Sequence, residues 1–418
     1  MKSSYLNLNY RPRFNREIIA TYHVESALPL PKAAVEIAKE SSIGTWTELA
    51  TLKEKTFNRL APQIFQIDLK QKTIKIAYPL ALFEPENLPQ LLSALAGNIF
   101  SMKAVSKLRL LNLEFPEKYL NAFPGPAFGI SGIRKILKIK SRPIIGSIIK
   151  PKLGLSSTEH ARLAYQVWKN GVDLVKDDEN LTDMGFNRFD DRVKKVLALK
   201  RRAEKETGQI KIHAFNITAP PDVMLKRAKF VKKMGGKCVM VDIVSTGLDN
   251  VLFLRKQNLG LVIHGHRAGH SLFTRDAHHG MTMLVLAKLA RLSGIDQLHT
   301  GTVVGKMEGT KKEVTNINEQ LREDWQHFNT LRENWSNLKP VMPIASGGLH
   351  PGLVPALVKI LGNNLIINFG GGLHGHPHGS VAGAHACYDA VMATTKKIPL
   401  KTYAKNHPEL KAALNYWK

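Results

Sequence analysis

Cysteine is almost absent, with Cys238 and Cys387 the only two in 418 residues. Two thiols cannot build a disulfide framework or a four-cysteine metal site, and each lies in an apolar stretch where a buried free thiol is expected. Long apolar runs are missing too. No stretch reaches the roughly 18 apolar residues that a membrane span needs, and no basic segment followed by an apolar one opens the chain. A cytoplasmic protein is therefore expected. Acidic residues are scarce beside basic ones: 34 Asp and Glu against 60 Lys and Arg, a formal net charge of +26. Such an excess attracts polyanions. Many of the cations, however, fall in one stretch with helical spacing, Arg192, Lys194, Lys195, Lys200, Arg201, Arg202 and Lys205, so a solvated helix face is the expected cause and nucleic acid is not an expected partner. Hydrophobic residues at 44% and charged ones at 22% exclude a disordered or fibrous chain.

What is present is a repeated unit. From about residue 130 onward, short β-branched runs alternate with longer amphipathic stretches, the pattern of βα units around a parallel sheet. Eight such runs occur: Pro143 to Ile149, Val172 to Lys176, Ile210 to Phe215, Cys238 to Ile243, Gly260 to His266, Gln297 to Thr302, Met342 to Ser346 and Leu365 to Phe369. Between them, helices are predicted at Ser157 to Lys169, Asp191 to Glu206, Pro221 to Met234 and Met281 to Leu292. Eight strands with helices between them predict a (β/α)8 barrel over 131–418, closed by a helical C-terminal tail. Residues 1–130 read as a smaller α+β domain of the ferredoxin-like kind, with strands at Ile18 to Val24 and Thr73 to Tyr78 and helices at Lys32 to Glu40 and Leu88 to Leu95. Phe123-Pro-Gly-Pro126 and the basic segment Lys135 to Arg142 read as the link.

In such a barrel, function lies at the C-terminal ends of the strands. Six runs end in polar or glycine-rich sequence: Lys150-Pro-Lys152, Lys176-Asp-Asp-Glu179, His264-Gly-His-Arg267, His299-Thr-Gly-Thr302, Ser346-Gly-Gly348 and Gly370-Gly-Gly372. Lys176 and Asp178 share a strand face, and Glu179 can join them at the turn. Two carboxylates so spaced suit a hard cation such as Mg2+. They equally suit a plain ion pair with Lys176, and a metal there requires Lys176 to be chemically altered or turned away. The glycines after the seventh and eighth runs, with Arg267 and His299, favour phosphate over simple tight turning. Two separate clusters suggest a substrate phosphorylated at both ends. Gly301 to Gly309, with three glycines around Lys306, reads as a mobile lid or an ordinary surface loop. His264 and His266 share a face, and a general acid/base or a structural role fits them better than zinc, which lacks an obvious third ligand.

Taken together, these stretches resemble the large subunit of ribulose-bisphosphate carboxylase/oxygenase over nearly the whole chain. The resemblance is carried by Gly146-Ser-Ile-Ile-Lys-Pro-Lys-Leu-Gly154, Lys176-Asp-Asp-Glu-Asn180, His264-Gly-His-Arg-Ala-Gly-His270, His299-Thr-Gly-Thr-Val-Val-Gly-Lys-Met-Glu-Gly309, Ser346-Gly-Gly348 and Phe369-Gly-Gly-Gly372. Glu40-Ser-Ser-Ile-Gly-Thr-Trp-Thr47 and Gly97-Asn98 carry it in the N-terminal part. Glu179-Asn-Leu-Thr and Phe186-Asn-Arg-Phe look most like the archaeal-type form III.

The resemblance implies a carbamate formed by activating CO2 on Lys176, which with Asp178 and Glu179 would bind Mg2+ and serve as the base at C3 of ribulose 1,5-bisphosphate. CO2 or O2 would then add, oriented by Lys306 with Glu40, and cleavage would give 3-phosphoglycerate. Lys150, supported by Lys152, would protonate the product, and His266 would handle a proton near the C3 oxygen. Arg267, His299 and Ser346 would hold one phosphate; Thr45, Trp46, Gly348, Gly370 and Gly371 the other. Gly347 would lie beside them, and Asn98 would touch metal and substrate. Glu40, Thr45, Trp46 and Asn98 would come from a neighbouring subunit, making the active unit a homodimer or a multiple of one. Form III further implies nucleotide-ribose (AMP) salvage. Two departures stand out: Ile148 replaces a plant-type threonine, and Leu400 to Lys418 has no counterpart of the plant-type C-terminal latch.

Three other readings compete. A non-carboxylating relative that enolises or isomerises another phosphorylated sugar would replace several catalytic residues, whereas Lys150, Lys176, His266, His299 and Lys306 all stand. A Schiff-base aldolase would also use a strand-end lysine beside carboxylates. A basic nucleic-acid-binding protein would explain the charge but not the clustered strand ends.

Overall fold

The eight apolar runs pair into one closed, all-parallel barrel. Its strands are β1 (Ile144–Ile148), β2 (Leu174–Lys176), β3 (Ile212–Asn216), β4 (Cys238–Asp242), β5 (Val262–His266), β6 (Gln297–His299), β7 (Met342–Ser346) and β8 (Ile366–Phe369). Each pairs with the next and β8 closes on β1, Ile366 opposite Ile144. The coordinates are a computed structural model that describes residues 4–304, 310–322 and 334–417. The chain divides into two compact units, Gly125–Ala268 with Gly294–Phe328 and Lys339–Lys418, and Met1–Pro124 with Gly269–Ser293 and Asn329–Leu338.

Strand burial in the barrel unit is nearly continuous, as parallel strands covered on both faces require. The base of the barrel is filled by a helix, Gly129–Leu137, whose Ile130, Ile133 and Leu137 pack against Ile144, Leu174, Ile212, Met240, Val262, Met342 and Ile366. The sequence reading placed Lys135 to Arg142 in the link, whereas Lys135 to Leu137 belong to this helix. Its apolar residues recur at helical spacing, which sends the Lys and Arg of the same segment to the other side. Gly146 in β1 has a packing reason, since a Cβ there would sit 2.9 Å from Asn368 Oδ1 and 3.1 Å from Ile366 Cγ2. The helix Ser157–Lys169 opens on a capping box in which Ser156 N donates to Glu159 Oε2 at 2.8 Å and Glu159 N to Ser156 Oγ at 3.3 Å.

The other unit holds an antiparallel sheet in the order Val105–Glu114, Glu17–Ser26, Thr73–Pro79, Gln63–Asp68. Helices Leu30–Glu40 and Leu88–Ala96 connect its first and second, and third and fourth strands in chain order. That is the split βαβ, ferredoxin-like arrangement. The pair Gly280–Met281 adds to its edge, parallel to Val105–Glu114. The helix Met283–Leu292 belongs to this unit, with Lys288 Nζ donating to Leu113 O at 2.7 Å.

Cys238 and Cys387 are buried free thiols. Among the described residues no helix is long and apolar enough to cross a membrane.

Candidate active site at the barrel mouth

The alternation of side chains at the end of β2 separates two jobs. Asp177 points away from Lys176 and Asp178 into a buried lattice: its Oδ1 lies 2.7 Å from His213 Nε2, and its Oδ2 accepts from Arg192 Nε at 3.1 Å and from Asn216 N at 3.0 Å. Burial alone would raise the Asp177 carboxyl, but Arg192 and His213 outweigh it and hold it well below the usual range. Arg192 is wholly enclosed here, which corrects its placement on a solvated helix face. The lattice fixes the turn that aims Lys176, Asp178 and Glu179.

Lys176 is fully buried, donating through Nζ to Asp177 O at 2.8 Å and lying 3.6 Å from Glu179 Oε2. Burial drives its ammonium below the usual range, and Glu179, Asp178 and Asp242 only partly offset this. Lys150 Nζ sits 2.8 Å from Asp178 Oδ2, and the more exposed Lys152 Nζ 3.8 Å from Glu179 Oε1. Desolvation would raise Glu179, yet Lys176 and then His266 pull it down to about 2. Glu179 Oε2 is buried with no hydrogen-bond partner. Two carboxylates, one with an orphaned oxygen, form a donor set that fits a hard divalent cation.

On the opposite wall His266 Nδ1 lies 2.9 Å from Asp242 Oδ1, and its Nε2 3.7 Å from Glu179 Oε2. Ala268 N also points at Nδ1, at 3.2 Å, so Nδ1 is held between Asp242 and the backbone while Nε2 faces the site. His264 lies between Gln297 Oε1 at 2.8 Å and His299 Nε2 at 2.9 Å. Burial holds His264 and His299 well below the usual histidine range, so both are neutral.

The glycine-rich strand ends complete the mouth. Gly301, at φ 104°, leaves room beside Arg267, since a Cβ there would lie 3.3 Å from Arg267 Nη2. Burial lowers the Arg267 guanidinium to about 10, leaving it charged at neutral pH. Gly347 and Gly348 adopt φ 118° and 71°, a region glycine tolerates. Ser346 Oγ accepts from Asn368 Nδ2 at 3.2 Å. A Cβ on Gly370 would meet Ile148 Cγ2 at 3.1 Å and Lys150 Cε at 3.6 Å, whereas Gly371 faces open space.

Thus Lys150, Lys152, Lys176, Asp178, Glu179, His266, Arg267, His299, Ser346, Gly347, Gly348, Gly370 and Gly371 all stand at strand ends of the barrel unit. Glu40, Thr45, Trp46 and Asn98 lie in the other unit. There Asn98 Nδ2 donates to Glu40 Oε1 at 3.5 Å, and Trp46 is 84% exposed. Lys306 falls outside the described residues.

The sequence reading missed Asn216 and Asp242, the last residues of β3 and β4. Asn216 Nδ2 donates to Glu179 O at 2.9 Å and Asp242 anchors His266. The strand-end rule, applied to the third and fourth runs, points to both. His374 was also missed; its Nε2 lies 3.3 Å from Ser147 Oγ, and burial lowers it to about 4.

A closed parallel barrel whose mouth gathers buried lysine, paired carboxylates, histidines and glycine loops defines a (β/α)8-barrel enzyme with a cation-ready carboxylate centre. Residues 129–417 match the ribulose bisphosphate carboxylase large chain catalytic domain, and residues 4–119 the N-terminal domain of the same large chain. The chain belongs to that family. It is 47% identical over 425 residues to the ribulose bisphosphate carboxylase of Methanocaldococcus jannaschii, covering 99% of this chain and 100% of that one. Among solved structures it superposes on the octameric ribulose-1,5-bisphosphate carboxylase/oxygenase of Pyrococcus horikoshii with a TM-score of 0.92 at 46% identity, covering 99% and 96% of the two chains. The dimeric archaeal Rubisco of Hyperthermus butylicus gives a TM-score of 0.91 at 41% identity, covering 99% and 98%.

Proposed function

We propose that this protein is a ribulose-1,5-bisphosphate carboxylase/oxygenase that works as a homodimer or a multiple of one and serves nucleotide-ribose salvage. The observation that carries this reading is the buried Lys176 amine, 3.6 Å from an orphaned Glu179 oxygen and lowered by its burial. A lysine lowered in this way loses its proton more readily, and the free amine adds to CO2, releasing one proton and leaving a carbamate.

The carbamate of Lys176 with Asp178 and Glu179 would hold Mg2+, which when bound supplies Lewis-acid polarisation of the substrate's C2 carbonyl. The carbamylated Lys176 takes the C3 proton of ribulose 1,5-bisphosphate. His266, with Nδ1 pinned by Asp242, presents Nε2 to the C3 oxygen. CO2 or O2 then adds, with Lys306 and Glu40 orienting it, and Lys150 protonates the cleaved product with Lys152 in support. Arg267, His299 and Ser346 take one phosphate; Gly348, Gly370 and Gly371 take the other, with Gly347 alongside. Thr45, Trp46 and Asn98, together with Glu40, complete the mouth of a neighbouring subunit's barrel, a role that suits the exposed Trp46.

The test is product analysis with ribulose 1,5-bisphosphate, CO2 and Mg2+. The expected outcome is 3-phosphoglycerate, lost on chelation. An isomerised sugar bisphosphate with no 3-phosphoglycerate would move the assignment to a non-carboxylating relative.

A further inference from the structure

In the strand Glu17–Ser26, His23 and Glu25 are two residues apart and share one face. The turn at 276–280 is fastened beside them. Asp276 Oδ1 accepts from His278 N at 2.8 Å and from His279 N at 3.1 Å, while Asp276 Oδ2 takes Lys107 Nζ at 3.0 Å. Lys107 is itself the strand partner of Glu25, and Gly280 pairs with Arg109, the partner of His23.

The result is a convergence of three ligand-type atoms. His278 Nδ1 lies 2.7 Å from Glu25 Oε1 and 3.2 Å from His23 Nε2, and His23 Nε2 lies 3.2 Å from Glu25 Oε1. The far nitrogen of His23 is committed, with Nδ1 3.3 Å from Gln71 O. A carbonyl only accepts, so Nδ1 carries a proton, and with that proton the ring's only one Nε2 turns a lone pair toward the carboxylate. Two acceptors then face each other, and a proton on His278 Nδ1 has to be shared between them. A cation bonds all three atoms directly: ligands at about 2.0–2.1 Å around a tetrahedral ion lie about 3.3 Å apart.

We propose that His23, Glu25 and His278 form a binding site for a zinc-class divalent metal, sharing no residue with the Asp178 and Glu179 centre. Three protein ligands leave a fourth position to water, and the ion staples the 276–280 turn to the strand. Among the described residues the other such grouping, His160, Asp177 and His213, is fully buried, and its carboxylate is already taken by Arg192.

The experiment uses the full-length chain without a histidine tag, stripped by chelator and dialysed against Zn2+ in excess Mg2+. Magnesium occupies oxygen sites but competes poorly for imidazole. Zinc content is read by elemental analysis and ligand geometry by the visible absorption of Co2+. His278 is more than half exposed, so His278→Ala and His278→Gln are expected to fold, and circular dichroism checks it. The wild type is expected to retain about one equivalent of zinc more than either variant and to give the intense absorption of tetrahedral Co2+. The Asp178→Asn, Glu179→Gln double variant is expected to keep both signals. Equal zinc in the wild type and the His278 variants, or loss in the double variant alone, would overturn the proposal.

Discussion

Lys150 Nζ lies 2.8 Å from Asp178 Oδ2, so the lysine proposed to protonate the product is the counter-ion of a carboxylate proposed to hold the metal. A cation held by Asp178 and the Lys150 ammonium would therefore compete for one carboxylate.

That competition predicts opposite effects from one substitution. Lys150→Met removes the competing ammonium, so Mg2+ affinity is expected to rise several-fold while turnover falls by about 10²- to 10⁴-fold, the range for loss of a positioned acid. Calorimetric Mg2+ titration beside steady-state turnover checks both. A parallel loss of Mg2+ binding and turnover would show that Lys150 does not compete for Asp178.

Asp242 acts through His266 and is a positioning residue. Asp242→Asn keeps the size but offers an amide in place of the carboxylate that faces Nδ1 of His266. Turnover is expected to fall by about 10²-fold, with the pH profile displaced relative to the wild type. A lower turnover with an unmoved profile would mean that Asp242 serves packing alone.

Asp177 is expected to govern stability. Asp177→Asn leaves Arg192 as a buried cation without its carboxylate, a loss of about 3–5 kcal/mol. Denaturant unfolding of this variant beside Asp178→Asn checks it, because the direct cationic partner of Asp178, Lys150, is partly exposed and its loss should cost less.

Lys211 gives a pH signature far from the chemistry. It is buried, donating to Val172 O and Gln209 Oε1, and burial lowers it to about 8 from its ordinary 10.5. Below about pH 8 the native state carries a buried ammonium that the unfolded chain solvates more cheaply. As pH rises from about 8 to 10.5 the unfolded state holds more protons, so Lys211 adds stability across that window and loses it as pH falls. The change is at most about 3 kcal/mol. Unfolding free energies at both ends of the window, wild type against Lys211→Met, should differ by this slope; identical slopes would contradict it.

The barrel was legible because parallel strands buried on both faces leave unbroken apolar runs, and all eight recur in the structure with ends shifted by a few residues. The N-terminal sheet was half legible. Val105–Glu114 carries register shifts against its partner that disrupt alternation, and Gln63–Asp68 is an edge strand with Ile64 its one fully buried residue. Gly129–Leu137 was hidden because its last turn carries Arg134 and Lys135 and runs on into the basic Lys138 to Arg142. At the site, strand-end lysines, carboxylates and glycines were readable because chemistry gathers there. Asn216 and Asp242 each close an apolar strand as a single polar residue and offered no motif. Arg192 could not be distinguished from its solvated neighbours, since only the fold brings it to Asp177.

Lys176→Ala removes the amine proposed to take up the activating CO2. Wild-type protein and Lys176→Ala are incubated anaerobically with ¹⁴C-bicarbonate, Mg2+ and ribulose 1,5-bisphosphate, and acid-stable label is sought in 3-phosphoglycerate. Label in the wild type alone is the predicted result; no label in either, or equal label in both, would contradict it.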